Sequence, residues 1–352
     1  MSKVLYIILI SLLSLTIISC AKKSSTSSSS TTDDTNTTTS TDFIAVGRSG
    51  TILTSSDNGT TWTSRATGIS NGLYKITYEN DTFVTVGNSG NILTSSDDGI
   101  TWTSRTGTSN TLYKVIYGNS IFITVGNTGT ILTSSDGATW TSRTSGTTVI
   151  LYGITYGNST FVTVGKAGTI LTSSDGITWT SRNSGTSLWL LQATYGKNIF
   201  IIVGNSGRIL TSSDGITWTS KSSGTSNHLQ GVTYSNNIFV VVGQSGKIIT
   251  SSDATSWTSR TSGISSYLFG VTYGNGIYVT VGTSGKILTS NDGLSWTLRT
   301  LGTSNRFVGV DFVDNFFIAV GESGTLFTSS DGVNWTSRTS GVTEYLRRIA
   351  HN

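Results

Sequence analysis

The chain contains no proline, one cysteine, one methionine and two histidines in 352 residues. Without proline it holds no proline-rich linker, and it is not collagen-like despite its 41 glycines. A single thiol, Cys20, excludes an intrachain disulfide and a cysteine metal cluster. His228 and His351 alone do not make a multi-histidine metal site, and no cofactor is expected. Charge is scarce as well, at 11% of residues with a net of +4. Nucleic-acid-binding proteins carry a clustered basic footprint, and this weak, scattered charge excludes nucleic acid from the expected partners.

Long apolar runs are equally rare. The main one, Val4 to Ile18, comes after Lys3 and has 15 residues, short of the ~20 that cross a bilayer as a stable helix. Its flanks fit a secretory signal over residues 1–19. The closing Ile17-Ile18-Ser19-Cys20 resembles a bacterial lipobox, with Ile17 where leucine is favoured. The resemblance implies a lipid on Cys20 and a protein carried across the inner membrane and anchored in the bacterial cell envelope. An ordinary signal peptide, or a short anchor with an incidental cysteine, is the alternative. Residues 20–42 form the lipid-bearing end and a Ser/Thr-rich tether with no apolar residue beyond Ala21. Such a segment cannot repay the entropy of ordering. As a flexible coil of about 20 residues it would hold the globular part of the chain on the order of 25 Å from the membrane.

What the chain has in abundance is repetition. Val-Gly steps place Gly47, Gly87, Gly126, Gly165, Gly204, Gly243, Gly282 and Gly321 at a spacing of 40 and then 39 residues. Trp62, Trp102, Trp140, Trp179, Trp218, Trp257, Trp296 and Trp335 keep the same beat. A period near 40 marks a solenoid or a propeller. Within one unit, LYGITY, FVTVG, TILTSS and TWTSR are short runs rich in β-branched and aromatic residues, parted by turn residues. Four such strands per unit match a propeller blade, and no window sustains the 3.6-residue period of a helix. Phe43 falls inside the second strand of a unit, and Leu346 to His351 aligns with a first strand. The chain end therefore supplies the missing strand of the first unit. The expectation is an all-β, eight-bladed β-propeller over residues 43–352, monomeric, its edges hidden by pairing the two ends. Seven blades with a loose partial unit is the alternative.

Ser55 to Trp62 fits the pattern Ser-x-Asp-x-Gly-x-x-Trp, as does Ser95 to Trp102; later units omit one residue, as in Ser173 to Trp179. The pattern resembles the Asp-box, or BNR repeat. Its carboxylate can accept backbone N–H groups of its own turn, its glycine takes positive φ, and its tryptophan wedges between blades. Asp253 is followed by Ala254, so that turn is expected to be looser. Asp57, Asp97, Asp136, Asp175, Asp214, Asp253, Asp292 and Asp331 occupy equivalent places in eight units. They cannot converge on one substrate, so they are structural. The same holds for Arg65, Arg105, Arg143, Arg182, Arg260, Arg299 and Arg338, with Lys221 standing in once. The wider pattern VGxxGxIxxSxDGxxW is similar to the photosystem II stability/assembly factor-like propellers. That resemblance covers Phe43 to Asn352 and implies a non-enzymatic ring that binds another protein; the photosynthetic role is not carried over.

Individual function is to be sought where the copies disagree. In Asp-box propellers that turn lies on the face opposite the usual ligand site, which leaves the loops entering each first strand on the ligand face. Just before each first strand stand Gly72, Thr111, Ile150, Trp189, His228, Tyr267, Arg306 and Tyr345. Trp189, His228, Tyr267, Arg306 and Tyr345 form an arc of the residue types that dominate binding hot spots. Arg348, Lys75 and Lys114 fall on three successive units where Gly153, Gly231, Gly270 and Gly309 stand in others, and Arg48 lies nearby. Together they form an electropositive arc suited to a carboxylate or an anionic glycan. Glu322 and Glu344 share that face in neighbouring loops and are the one plausible acid/base pair there. The leading reading is a non-catalytic, envelope-anchored propeller that binds a protein or a glycan. A sialidase-like glycoside hydrolase and a structural lipoprotein without a specific ligand are the alternatives.

Overall fold

The computed structural model describes residues 43–352. The expected signal segment 1–19, the expected lipidation site Cys20 and the expected tether to residue 42 lie outside the described residues.

Each unit folds as four antiparallel strands because its apolar runs are short and the residues between them accept tight turns. In blade 4 the strands are Leu151–Gly157, Thr160–Gly165, Ile170–Ser173 and Thr180–Arg182, paired in chain order. The first hairpin closes through Asn158 and Ser159, both at positive φ (44° and 53°). This is the turn geometry whose twist matches a right-handed hairpin.

Eight four-stranded sheets form in this way. Seven are built from consecutive strands. In the eighth, Leu346–Ala350 pairs with Phe43–Gly47, with Ile44 opposite Ala350 and Ala45 opposite Ile349. The last strand thus becomes the innermost strand of blade 1, as the phase of the repeats requires, and the innermost strands adjoin one another right round the ring. The protein is an eight-bladed β-propeller, and the seven-bladed alternative is excluded.

Burial depends on strand position. Innermost strands bury some side chains in the core and turn others to the channel, the second and third strands are buried, and the fourth is largely exposed, as in Thr180–Arg182. The core is eight separate clusters, each lying between two blades. One holds Val84, Val86 and Ile92 of blade 2 against Leu112, Val115, Phe122, Leu132 and Trp140 of blade 3. At its centre each cluster has an aromatic ring from a second strand, such as Phe161 or Phe200, with none of its surface exposed. The repeating tryptophan packs on that ring, at 6.5 Å for Phe161–Trp179 and 6.3 Å for Phe200–Trp218. Because each blade is held mainly by its neighbours, stability is shared round the ring as in other repeat proteins.

The Ser-x-Asp turn is a closed hydrogen-bonding unit. Asp175 Oδ1 accepts from the backbone N–H groups of Ile177 and Thr178, both at 2.8 Å, and from Ser173 Oγ at 2.8 Å. Trp179 Nε1 donates to the Gly176 carbonyl at 3.0 Å. On the outer strand Arg182 Nε donates to Thr172 Oγ1 at 2.7 Å, a bond repeated in six other blades. Blade 6 departs in one respect. Ala254 takes the left-handed conformation (φ 60°) that glycine holds elsewhere, and Trp257 Nε1 is buried without an acceptor. Asp253 still accepts from Thr255 and Ser256, so the loss is confined to the tryptophan's tie.

These bonds make the turn carboxylates stronger acids. Asp136, Asp175 and Asp214 are held down at about 2, first by the N–H groups of Thr139, Thr178 and Thr217, then by a second N–H and a serine hydroxyl. A folded-state value below the unfolded one adds stability that is complete above the unfolded value and lost as pH falls through the folded one. The thermal midpoint should therefore hold near pH 5 and fall steadily from about pH 4 to about pH 2. A midpoint unchanged to pH 2 would deny the turns their stabilising role.

Candidate functional site

Each innermost strand begins with a pattern that a flat strand does not accommodate. Leu73 and Ile76 are both buried, as are Leu112 and Val115, Leu190 and Ala193, and Phe307 and Val310. A strand that buries positions three apart breaks the period of two. The structure resolves this with a β-bulge: pairing shifts between Leu73 and Lys75, and likewise between Leu112 and Lys114 and between Leu190 and Gln192. Two consecutive side chains per blade then line the channel, as Tyr74 with Lys75, Tyr113 with Lys114, and Arg347 with Arg348 do. In blades 2, 3, 4 and 7 a buried threonine satisfies the carbonyl at the bulge; Thr85 Oγ1 donates to Lys75 O at 3.0 Å and Thr124 Oγ1 to Lys114 O at 2.9 Å.

The residue before the bulge is clamped through its backbone. Arg48 N donates to Tyr345 O at 2.8 Å, Asn205 N to Trp189 O at 2.9 Å and Glu322 N to Arg306 O at 2.8 Å. The repeated glycine of Val-Gly makes room for this contact. Its backbone is extended (φ −158° at Gly47), but a Cβ there would lie 2.3 Å from Tyr345 O, and one on Gly204 2.2 Å from Trp189 O. Close approach, not left-handed conformation, explains glycine at these eight places. The clamp holds the backbone at each variable position and leaves its side chain unconstrained.

These side chains meet in a cup of about 590 Å³ at one end of the channel, within the range of small-molecule and cofactor sites. Its wall includes a run of aromatic rings across four blades. Tyr74 and Tyr113 have centroids 5.4 Å apart, Tyr113 and Tyr152 5.7 Å, and Tyr152 and Trp189 5.9 Å. Cations lie against the rings: Arg347 over Tyr74 at 4.1 Å, Lys166 over Trp189 at 4.4 Å, Arg48 over Tyr345 at 5.2 Å and Arg306 over Phe269 at 5.9 Å. Deeper in, Lys75, Lys114 and Arg348 occupy equivalent positions on three adjoining blades. Beside Arg348 a chamber of about 100 Å³ is lined by Gln192, Gly231, Gly270, Gly309 and Asp311 among others. Glycines on that side let neighbouring innermost strands approach closely: a Cβ on Gly309 would lie 2.4 Å from Arg347 O and one on Gly231 2.9 Å from Phe269 O.

Burial sets the electrostatics of the floor. It lowers Lys114 to about 7, with help from Lys75 and Arg348 and opposition from Asp311. It lowers Lys75 too, against Asp311, and raises Asp311 against the pull of Lys75 and Arg348.

Seven of the nine residues expected to form a site line this cup: Trp189, Arg306, Tyr345, Arg48, Lys75, Lys114 and Arg348. His228 and Tyr267 do not. His228 Nδ1 accepts from the Ser206 backbone N–H at 3.1 Å, so it caps a neighbouring turn. Tyr267 stacks on Phe269 at 4.8 Å and donates to Gln230 Oε1 at 3.3 Å, supporting two residues that do line the cup. Glu322 and Glu344 stand outside it as well; Glu322 Oε2 accepts from the Arg306 N–H at 3.4 Å and the Glu344 carbonyl from Gly324 N at 2.8 Å. Sequence reasoning missed the tyrosine row, Phe269, Arg347 and the placement of Asp311. The spacing of three between apolar residues, repeated in all eight innermost strands, was the signal for the row.

No family model matches the chain, and no curated protein matches it in sequence. Solved structures do resemble it. The computationally designed protein Ika8 superposes with a TM-score of 0.68 at 14% identity, over 78% of this chain and 89% of that one. YCF48 bound to D1 peptide gives 0.58 at 18% identity, over 72% and 91%. Virginiamycin B lyase from Staphylococcus aureus gives 0.54 at 14% identity, over 86% and 96%. At these identities the likeness is one of fold: this chain is a β-propeller with a cup at one mouth of its channel.

Keeping Lys114 charged in the cup costs stability. Its folded-state value lies below the ordinary 10.5, so the cost is full below about pH 7 and fades as pH rises toward the unfolded value. Lys114→Gln places there the residue that blade 5 carries as Gln192. It should raise the thermal midpoint at pH 6 by roughly 2–4 °C and change it little at pH 10.5. An equal shift at both pH values would remove the desolvation account.

Proposed function

We propose that this is a non-catalytic binding protein of the bacterial cell envelope, tethered through a lipid on Cys20, whose propeller takes a protein or glycan partner at the cup. One observation carries the reading. The copies agree in their turns, wedges and outer strands, and their departures Trp189, Arg306, Tyr345, Lys75, Lys114 and Arg348 line a single concavity. Among the described residues Trp189, at 42% exposed, is the one aromatic of the large exposed hydrophobic side chains, and aromatic and arginine anchors dominate binding hot spots.

Phe43 starts the second strand of blade 1, and Gly47 at its other end adjoins the cup residue Tyr345. Phe43 therefore lies at the end of blade 1 away from the cup. The YCF48 structure shows a ring of similar fold with a peptide bound, which makes a protein partner physically reasonable here.

Virginiamycin B lyase shows that such a ring can also be an enzyme. The non-catalytic reading is favoured by the positions of the carboxylates. Glycoside hydrolysis needs two facing carboxyl groups roughly 5–10 Å apart, and Glu322 and Glu344 do not line the cup, while Asp311 lies singly in the chamber beside Arg348.

Peptide and glycan arrays probed with the wild-type protein should return one ligand class. Trp189→Ala and Tyr345→Ala should each weaken that binding tenfold or more, and Ile177→Ser, on the opposite face, should leave it unchanged. Loss in Ile177→Ser with the mouth variants unaffected would move the site off the cup. Silence across the arrays would favour a spacer lipoprotein.

A further inference from the structure

We propose that the floor of the cup binds a dianionic oxyanion, a phosphate or sulfate group, between Lys75, Lys114 and Arg348; this rests on the reading of the cup as the binding site and names the chemistry it selects. The cations at the rim and those on the floor are held differently. Arg48, Arg306 and Arg347 each lie over an aromatic face. Lys75 and Lys114 are half-buried in the channel, and beyond the strand ladder only their backbone carbonyls are hydrogen-bonded, to Thr85 and Thr124. Among the described residues neither ammonium group meets an acceptor. Two desolvated ammonium groups on adjoining blades repel each other, and a buried charge is normally paired. Among the described residues Asp311 is the one carboxylate that acts on both, and it does not neutralise them.

Charge count sets the ligand class. Lys75, Lys114 and Arg348 against Asp311 leave two positive charges on the floor. A doubly charged oxyanion cancels them, and a carboxylate leaves one uncancelled. Donor geometry agrees. Arg348 is pinned by Nη1, which donates to Val308 O at 2.7 Å and Arg347 O at 2.8 Å. A guanidinium has five N–H donors and each ammonium three, so the fixed guanidinium and the two free ammonium groups can surround an oxyanion. The cup that all three line, about 590 Å³, leaves room for it. A dianion bound beside Lys114 would favour its charged form and raise its value.

Such a group could arrive as a free ion or as an ester on a sugar. The tyrosine wall above the floor distinguishes them, because only an ester has a body to lay against Tyr74 and Tyr113. The test titrates the full chain with sodium sulfate, sodium phosphate and sodium acetate, and with glucose 6-phosphate and glucose 6-sulfate, by calorimetry at pH 6.5 and constant ionic strength. Sulfate should bind saturably at one site per ring, phosphate more weakly because at this pH it is mostly the monoanion, and acetate at least tenfold more weakly than sulfate. Lys75→Gln and Lys114→Gln, residues the fold already accepts as Gln192, should each cost tenfold or more. Sulfate keeps its charge across the range, so its affinity should fall between pH 6 and pH 9 as Lys114, facing Lys75, Arg348 and Asp311, loses its proton. Tighter binding of the esters, lost in Tyr113→Ala, identifies an ester as the source; equal binding of the free ions identifies the ion. The inference is overturned if no dianion binds saturably, if the lysine variants bind unchanged, or if acetate binds as well as sulfate. If it falls while Trp189→Ala still abolishes array binding, the cup remains the site and only the ligand class is wrong.

Discussion

The mouth of this propeller depends on one backbone contact made eight times. The residue after each Val-Gly donates its N–H to the carbonyl just before an innermost strand, as Arg48 does to Tyr345 and Asn205 to Trp189. Glycine makes the approach possible, since a Cβ on Gly47 or Gly204 would overlap the carbonyl oxygen. The contact draws the strand into register one residue early, and the adjoining bulge turns two consecutive side chains into the channel. A rigid backbone is thereby separated from the side chains it presents, the arrangement a binding site needs for preorganisation. Remove the clamp and the variable residues have no common floor to line.

Repetition divides the chain's chemistry into two kinds. Residues copied into every blade hold the ring together: the Ser-x-Asp turn, the tryptophan wedge and the arginine on the outer strand all act within a blade or between neighbours. Blade 6 shows how much tolerance the scheme has. Ala254 carries a strained conformation and Trp257 loses its acceptor, yet the turn keeps its carboxylate bonds and the blade its four strands. Residues that differ between copies are free of these duties, and seven of them gather at the cup.

Much of the fold was legible because its signals repeat. The Val-Gly and tryptophan periods fix the blade count, and the phase of Phe43 against Leu346 fixes the closure. The site was legible in part. Position-by-position comparison of the units finds Trp189, Arg306, Tyr345 and the floor cations, because those residues replace glycine or small polar residues. It also marks His228 and Tyr267, whose side chains turn to a neighbouring loop and to Phe269, choices that depend on local hydrogen bonds invisible in a string. Tyr74, Tyr113 and Tyr152 escaped notice because tyrosine is ordinary in a strand and strict alternation gives no reason to pair it with the lysine beside it. Asp311 sits where other copies carry Thr77, Thr155 or Thr194, and its meaning appears only once the ring closes and brings Arg348 beside it.

The double row comes from the bulge, and the bulge is the central structural claim. Residues 43–352 contain no cysteine, so single cysteines can report which side chains face the channel. In blade 5, Leu191→Cys and Gln192→Cys should react rapidly with a small hydrophilic thiol reagent, and Ala193→Cys should be protected. Rapid reaction at positions 191 and 193 with protection at 192 would mean a flat strand, and would contradict the account of how this ring builds its cup.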